Sequence, residues 1–368
     1  MTVEGPVAVM KLVIFGLTLS SSWGNGHATL WRGLIRALTR RNHDVVFFER
    51  DAPYYAEHRD LAELPGATLV LYPEWPRIVA RARSEARQAD VVIVTSYCPD
   101  ATSAAALLRD EASGALSVFY DLDTPVTLAR LEAGESVAYL PEEGLQDFDL
   151  VLSYTGGAAL DALRDRLGAR RVAALYGHVD PQAHQPAPRD ARFSADLSYL
   201  GTYAPDRQPA LETLFLEPAR RRPAQRFVLG GSGYPPDFPW GGNIWFVRHV
   251  APPEHPPFYS SSRLTLNVTR RDMAAMGFCP SGRLFEAAAC ATPVLSDAWQ
   301  GIEGFFTPGE QILLAGSAEE ATAALDLPRE DLARIGRAAR ERALDEHTSE
   351  CRAARMLCLL DDAAAREP

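Results

Sequence analysis

The chain has no excess of positive charge. Its 37 lysines and arginines are outnumbered by 48 aspartates and glutamates, giving a formal net charge of −11 over 368 residues. No nucleic-acid partner is expected, because phosphate backbones demand basic surface. The single basic run, Arg220-Arg221-Arg222, stands between a predicted helix and Pro223, where a solvated loop is expected. Cysteine is scarce too. Cys98, Cys279, Cys290, Cys351 and Cys358 form no C-x-x-C pair and show no metal-ligand spacing. Such an odd, scattered set points to a reducing, cytoplasmic compartment. Cys351 and Cys358 are seven apart, so they share a helix face and read as small core residues. No apolar run approaches the length of a membrane span, so no integral membrane segment is expected. Lys11–Leu19 lacks the basic flank of a secretion signal and reads as a first buried strand.

What is present is the composition of a globular α/β protein. Apolar residues make up 47% and charged residues 23%. A chain of this length outgrows one core, so two domains are expected. Continuous apolar runs predict strands at Leu12–Gly16, Val45–Glu49, Thr68–Leu71, Val91–Thr95, Leu116–Tyr120, Leu150–Ser153 and Val172–Leu175. Strands buried on both faces read this way. Leu30, Leu34, Ala37 and Leu38 recur at helical spacing between the first two. Repeated βα units imply a parallel, doubly wound sheet spanning residues 1–185. A Pro-rich polar stretch from Gly177 to Pro188 reads as a linker. The pattern then restarts for a second domain over 190–346, with strands at Leu197–Gly201, Phe227–Gly230, Leu264–Val268, Pro293–Ser296 and Ile312–Ala315. Two helices end the chain.

Ligands in such sheets sit beyond the carboxyl ends of strands, so the loops there carry the candidate sites. The most informative stretch is Asn267–Gln311, where an apolar strand leads to Arg270 and Arg271, then a Gly/Pro/Ser break and an Ala-rich helix with one acid, Glu286. Arginines and helix-start N–H groups near Ser281 and Gly282 suit a diphosphate. Glu286 suits a ribose diol, and Arg283 adds a further cation. The bland reading makes Ser281 an N-cap and Leu284, Ala287 and Ala288 a packed helix face. After the strand ending at Leu200, Gly201 and Thr202 allow close backbone approach, and Arg207 can offset charge on a departing diphosphate.

On the other side, the loop Gly16–His27 holds Trp23, Asn25, Gly26 and His27 as candidate acceptor contacts, with His27 a possible general base. The loop does not match G-x-G-x-x-G, so a dehydrogenase using Glu49 or Asp51 for ribose is a minor alternative. Asp123 and Thr124 follow the fifth strand. Asp121-x-Asp123 is formally a D-x-D that can hold a metal, but an acceptor-facing or structural role is favoured.

Arg283–Asp297 spells R-L-F-E-A-A-A-C-A-T-P-V-L-S-D, and Phe306–Ile312 gives F-T-P-G-E-Q-I. With S-S-W-G-N-G-H-A-T, D-T-P-V-T-L from Asp123 to Leu128, L-Y-G-H-V-D-P from Leu175 to Pro181 and Y-L-G-T-Y from Tyr199 to Tyr203, these resemble the GT-B nucleotide-sugar glycosyltransferases, closest to the CgeB-type (spore maturation protein) branch. The resemblance implies two Rossmann-like domains facing across a cleft, with a last helix (about 347–368) crossing back to the first. It implies a donor domain holding a UDP- or dTDP-sugar and a first domain presenting a small-molecule or glycan acceptor. Retaining chemistry without metal or other cofactor is also implied. Relatives often carry a second Glu eight positions before the first; Phe278 stands there, leaving that contact to Asp272 or a backbone amide. A nucleotide-sugar 2-epimerase of the same fold and a non-catalytic sugar-nucleotide-binding protein are the alternatives.

Overall fold

The apolar runs become strands in two separate parallel sheets. The computed structural model describes residues 9–110 and 114–365. The outermost residues of the expected domains, 1–8 and 366–368, lie outside that range. Strands β1 (Lys11–Gly16), β2 (Asp44–Arg50), β3 (Ala67–Tyr72), β4 (Val91–Thr95), β5 (Leu116–Asp121), β6 (Leu150–Ser153) and β7 (Val172–Ala174) form the first sheet. Its order is β3-β2-β1-β4-β5-β6-β7. Alternate residues pack on opposite faces: Leu12 and Ile14 join one core layer, Val13 and Phe15 the other. That two-sided burial is why the sequence reads as uninterrupted apolar runs.

The second sheet contains β8 (Ala195–Leu200), β9 (Phe227–Gly230), β10 (Ile244–Val247), β11 (Ser262–Asn267), β12 (Val294–Ser296) and β13 (Leu313–Leu314). Its order is β10-β9-β8-β11-β12-β13, all parallel. Each sheet reverses its winding direction once, between β1 and β4 in the first and between β8 and β11 in the second. Such reversals splay the adjoining loops apart and open a crevice beyond the strand ends. The candidate residues cluster at these two points.

Strand β10 is unanticipated. It lies at a sheet edge with Trp245 and Phe246 exposed, so it lacks the buried apolar signature of its neighbours. The expected linker also differs from a solvated spacer, because His178, Val179, Asp180 and His184 are all buried. Val179 exchanges backbone hydrogen bonds with the last crossover: its N–H donates to His347 O (2.9 Å) and its carbonyl accepts from Ser349 N–H (2.8 Å). Arg36 closes on Asp180 at 2.9 Å. The helix Ser349–Ala364 then packs on His27–Arg40, with Met356, Leu357 and Leu360 in the first core. Cys351 is half-buried and Cys358 exposed, which corrects their expected core role. The helix presents Ala353, Met356, Leu360 and Ala363 inward, and the cysteines fall outside that stripe.

Candidate active site

Helix Gly282–Ala289 buries Leu284, Phe285, Ala287, Ala288 and Ala289 against the second sheet. Glu286 is left as its one acid, its side chain 14% exposed. The neighbours are polar. Tyr259 donates its hydroxyl to Oε2 at 3.3 Å, with His255 Nδ1 at 3.7 Å and His184 Nε2 at 3.9 Å from the carboxylate. Burial alone would raise the Glu286 carboxyl, but His184, His255, Arg283 and Tyr259 together outweigh it and hold it below the ordinary range. His255 is itself lowered by burial, which Glu286 opposes.

Arg283 is anchored on two sides. Its Nε donates to the carbonyl of Leu200 at the end of β8, and Nη1 donates to Asn267 Oδ1 at 2.8 Å at the end of β11. Its guanidinium lies over the Tyr199 ring at 5.1 Å. The remaining Nη2 stands beside Gly201, where an added Cβ would come within 2.9 Å of it and 2.7 Å of the Tyr199 hydroxyl. Glycine is therefore required for this approach. Ser281 occupies the N-cap position of the helix but makes no side-chain cap bond; its hydroxyl donates to Asn267 Oδ1 at 2.7 Å. Asn267 also donates to Ser296 Oγ at 2.9 Å. It thus ties two strand ends, β11 and β12, to the helix start, a role its place within a predicted strand did not reveal.

The other arginines separate in kind. Arg207 donates to the carbonyl of Thr202 at 3.0 Å, while its buried Nε has no partner. Arg270 pairs with Asp206 at 3.2 Å and feels the charge of Asp123 from the opposite sheet. Arg271 is exposed at the start of the short helix Arg271–Met276.

The loop after β1 is locked by protein groups. Fully buried Glu49 accepts from Leu19 N–H (2.6 Å), Ser20 N–H (2.9 Å), Ser20 Oγ (2.6 Å) and Thr18 Oγ1 (3.1 Å). The amides that could cradle a phosphate are filled by this carboxylate, which closes the dehydrogenase alternative. Asn25 Oδ1 accepts from His27 N–H (3.1 Å) and Ala28 N–H (3.3 Å), so it caps the helix rather than reaching for a ligand. Gly26 is exposed. Trp23 stacks between His58 (4.0 Å) of its own half and His249 (4.4 Å) of the other.

His27 is half-buried, with Nδ1 unpartnered and Tyr97 edge-on at 5.5 Å. Burial lowers its pKa, and Asp123 partly opposes this. Tyr97 follows β4 at φ +63°, a left-handed conformation unusual for an aromatic residue. Sequence alone offered no sign of it. Thr124 is buried and bonds Ser153 Oγ at 2.7 Å, a structural role in place of the expected acceptor contact. Asp121 is fully buried, accepts from Asp123 N–H at 3.1 Å, and is pushed up to about 6 by desolvation. The two acids therefore do not present a joint D-x-D face.

The halves also touch through Phe278. Its φ is +46°, its carbonyl accepts from Gly156 N–H at 3.0 Å, and its ring packs on Gly157 and Gly301. Both glycines have positive φ, and a Cβ on either would sit 2.6 Å or less from that ring.

Residues 207–358 match the family model described as "Glycosyl transferase-like". No curated protein matches the chain. Among solved structures, it is similar to sucrose-phosphate synthase from Thermosynechococcus elongatus at 15% identity, over 97% of this chain and 99% of that one, with a TM-score of 0.70. It is similar to Anabaena HepE in complex with UDP-glucose at 14% identity, over 96% and 100%, with a TM-score of 0.67. AviGT4, a glycosyltransferase involved in avilamycin A biosynthesis, aligns at 17% identity over 97% and 99%, with a TM-score of 0.60. The fold is that of the GT-B enzymes, and the family match lies within the second half of the chain.

Proposed function

We propose that the protein is a glycosyltransferase that moves a sugar from a UDP- or dTDP-linked donor to a hydroxyl of a small-molecule or glycan acceptor. The observation that carries this reading is the convergence, at the reversal point of the second sheet, of a half-buried carboxylate and an arginine anchored on two strand ends. Arg283 presents its free edge beside Gly201. With Arg207 and the first-turn N–H groups of helix Gly282–Ala289, it would meet the departing diphosphate, and no metal ion is needed for that charge. Glu286 would take the ribose hydroxyls. Held ionised, it is a stronger acceptor than a neutral carboxyl.

The acceptor would enter from the first sheet, beside Trp23, His27 and Asp123. A neutral His27 with an unpartnered ring nitrogen can accept a proton from the incoming hydroxyl. This assigns residues 1–185 to the acceptor, 190–346 to the donor and the last helix to the first domain. The motif resemblance supports the CgeB-type branch and retention of configuration. Five unpaired cysteines support a cytoplasmic setting.

The test is calorimetry with UDP and dTDP, followed by turnover of the corresponding donors over an acceptor panel. One nucleotide should bind selectively, and transfer should survive chelator. Binding of neither nucleotide would end the reading. Sugar isomerisation with donor alone would replace it by the epimerase.

A further inference from the structure

His184, His255 and Glu286 come from three separate stretches: the segment joining the sheets, the helix His255–Ser261 and the helix Gly282–Ala289. Their facing atoms form a close triangle. His184 Nε2 and His255 Nδ1 lie 3.5 Å apart. The Glu286 oxygens are 3.9 Å from the first and 3.7 Å from the second. One ligand atom from each residue can be chosen with all three within 4.8 Å of one another. Donors bound to a tetrahedral zinc ion at about 2.0–2.2 Å stand roughly 3.4 Å from each other. Oε1 makes the approach to His184 and Oε2 the approach to His255, so a triangle built on one oxygen spans up to 4.8 Å, wider than a filled site, and side-chain rotation must draw it in.

The hydrogen inventory points the same way. His255 Nε2 faces the Val250 carbonyl at 3.2 Å, an interaction that places the ring proton there and leaves Nδ1 a bare lone pair. His184 is buried; its Nε2 faces His255 Nδ1 at 3.5 Å, and the Nδ1 on the far side of the ring has no protein partner. Tyr259 supplies a single hydroxyl hydrogen to the carboxylate. Among the described residues, the three facing atoms are held only by the 3.5 Å contact between the two imidazoles and by the Tyr259 hydroxyl on the carboxylate. Metal-bound histidines ordinarily tie their outer ring N–H to a carbonyl or carboxylate, as His255 does to Val250.

We propose that this triangle binds a divalent ion of the zinc class, and that the ion and the nucleotide donor exclude one another. The exclusion rests on the reading of Glu286 as the ribose ligand, since an ion drawn between the carboxylate and the two imidazoles would turn the oxygens toward the histidines and compete with the diol for their lone pairs. The ion would act as a brake and not as a cofactor of transfer. Imidazole donors favour zinc over magnesium, which prefers oxygen.

The full chain, stripped with chelator and free of nucleotide, is titrated with zinc chloride by calorimetry and melted across the same concentrations. One equivalent should bind, the melting midpoint should climb with zinc, and magnesium should have no effect. His184→Asn and His255→Asn should each lose that climb. If an asparagine variant does not fold, the visible bands of the cobalt-loaded protein, which report tetrahedral coordination, decide instead. UDP affinity should fall at least tenfold under saturating zinc. A midpoint indifferent to zinc, a climb kept by both variants, or cobalt bands without tetrahedral character overturns the site. Zinc bound with UDP affinity unchanged overturns the exclusion. Failure of UDP to bind the metal-free protein sinks the nucleotide reading and leaves the zinc result standing.

Discussion

The two sheets reverse direction in the same way, yet their crevices are finished differently. Beyond β1, Glu49 fills the loop amides, Asn25 caps the helix and Arg32 bonds Leu19 O and Asp60, so the charged groups there are matched within the protein, with the ring nitrogen of His27 left over. Beyond β8 and β11, Arg283 keeps one edge beside Gly201 and Arg207 retains a buried, unpartnered Nε. Topology supplies a crevice in both halves. Side chains decide which of them is left wanting an anion.

The largest expected effect falls on the second crevice. Arg283→Ala should lower turnover by about 100- to 1,000-fold, as loss of one preorganised donor to a developing charge does; activity near wild type would remove it from the phosphate site. Glu49→Ala should act on the first crevice alone. It orphans two buried N–H groups and should cost about 3 kcal/mol of stability by urea unfolding. UDP affinity should stay unchanged, and a parallel loss of affinity would show that the first loop does meet the donor. Glu286→Ala should weaken UDP binding about 10- to 100-fold, from a charge-assisted contact of about 1.5–3 kcal/mol. Unchanged affinity there would dissolve the contrast between the crevices.

Acid should loosen the seam between the halves. Burial lowers His178 to about 3 and His347 to about 4, from an ordinary 6.5. Their stabilising contribution is full above pH 6.5 and is lost as pH falls toward those values, because only the unfolded chain takes up the protons. Asp121, raised to about 6, acts in the opposite sense and offsets part of it. Melting midpoints should therefore fall between pH 6.5 and 4.5; a flat profile would contradict the buried neutral histidines. The smallest effect belongs to exposed Arg271, whose replacement by Ala should leave donor affinity within about twofold.

Much of this comparison was legible in the chain itself. Strands buried on both faces announce themselves, and the Arg283–Asp297 block keeps its key residues contiguous, so Glu286 and Arg283 could be singled out. Residues brought together from afar could not. His184 and His255 are 71 positions apart, and Tyr259 lies 27 before Glu286. Tyr97 depends on a left-handed backbone that no pattern predicts for tyrosine. Asn25 and Thr124, expected at the acceptor, bond to protein groups for a different reason. Short polar side chains beside helix starts are as well suited to capping and buried hydroxyl pairs as to ligands.

The most direct measurement is a crystal structure with the preferred nucleoside diphosphate. The ribose hydroxyls should lie within hydrogen-bond distance of Glu286, and the diphosphate should rest between Arg283 and Gly201. A nucleotide seated instead in the loop beyond β1, or with its ribose turned away from Glu286, would contradict the account.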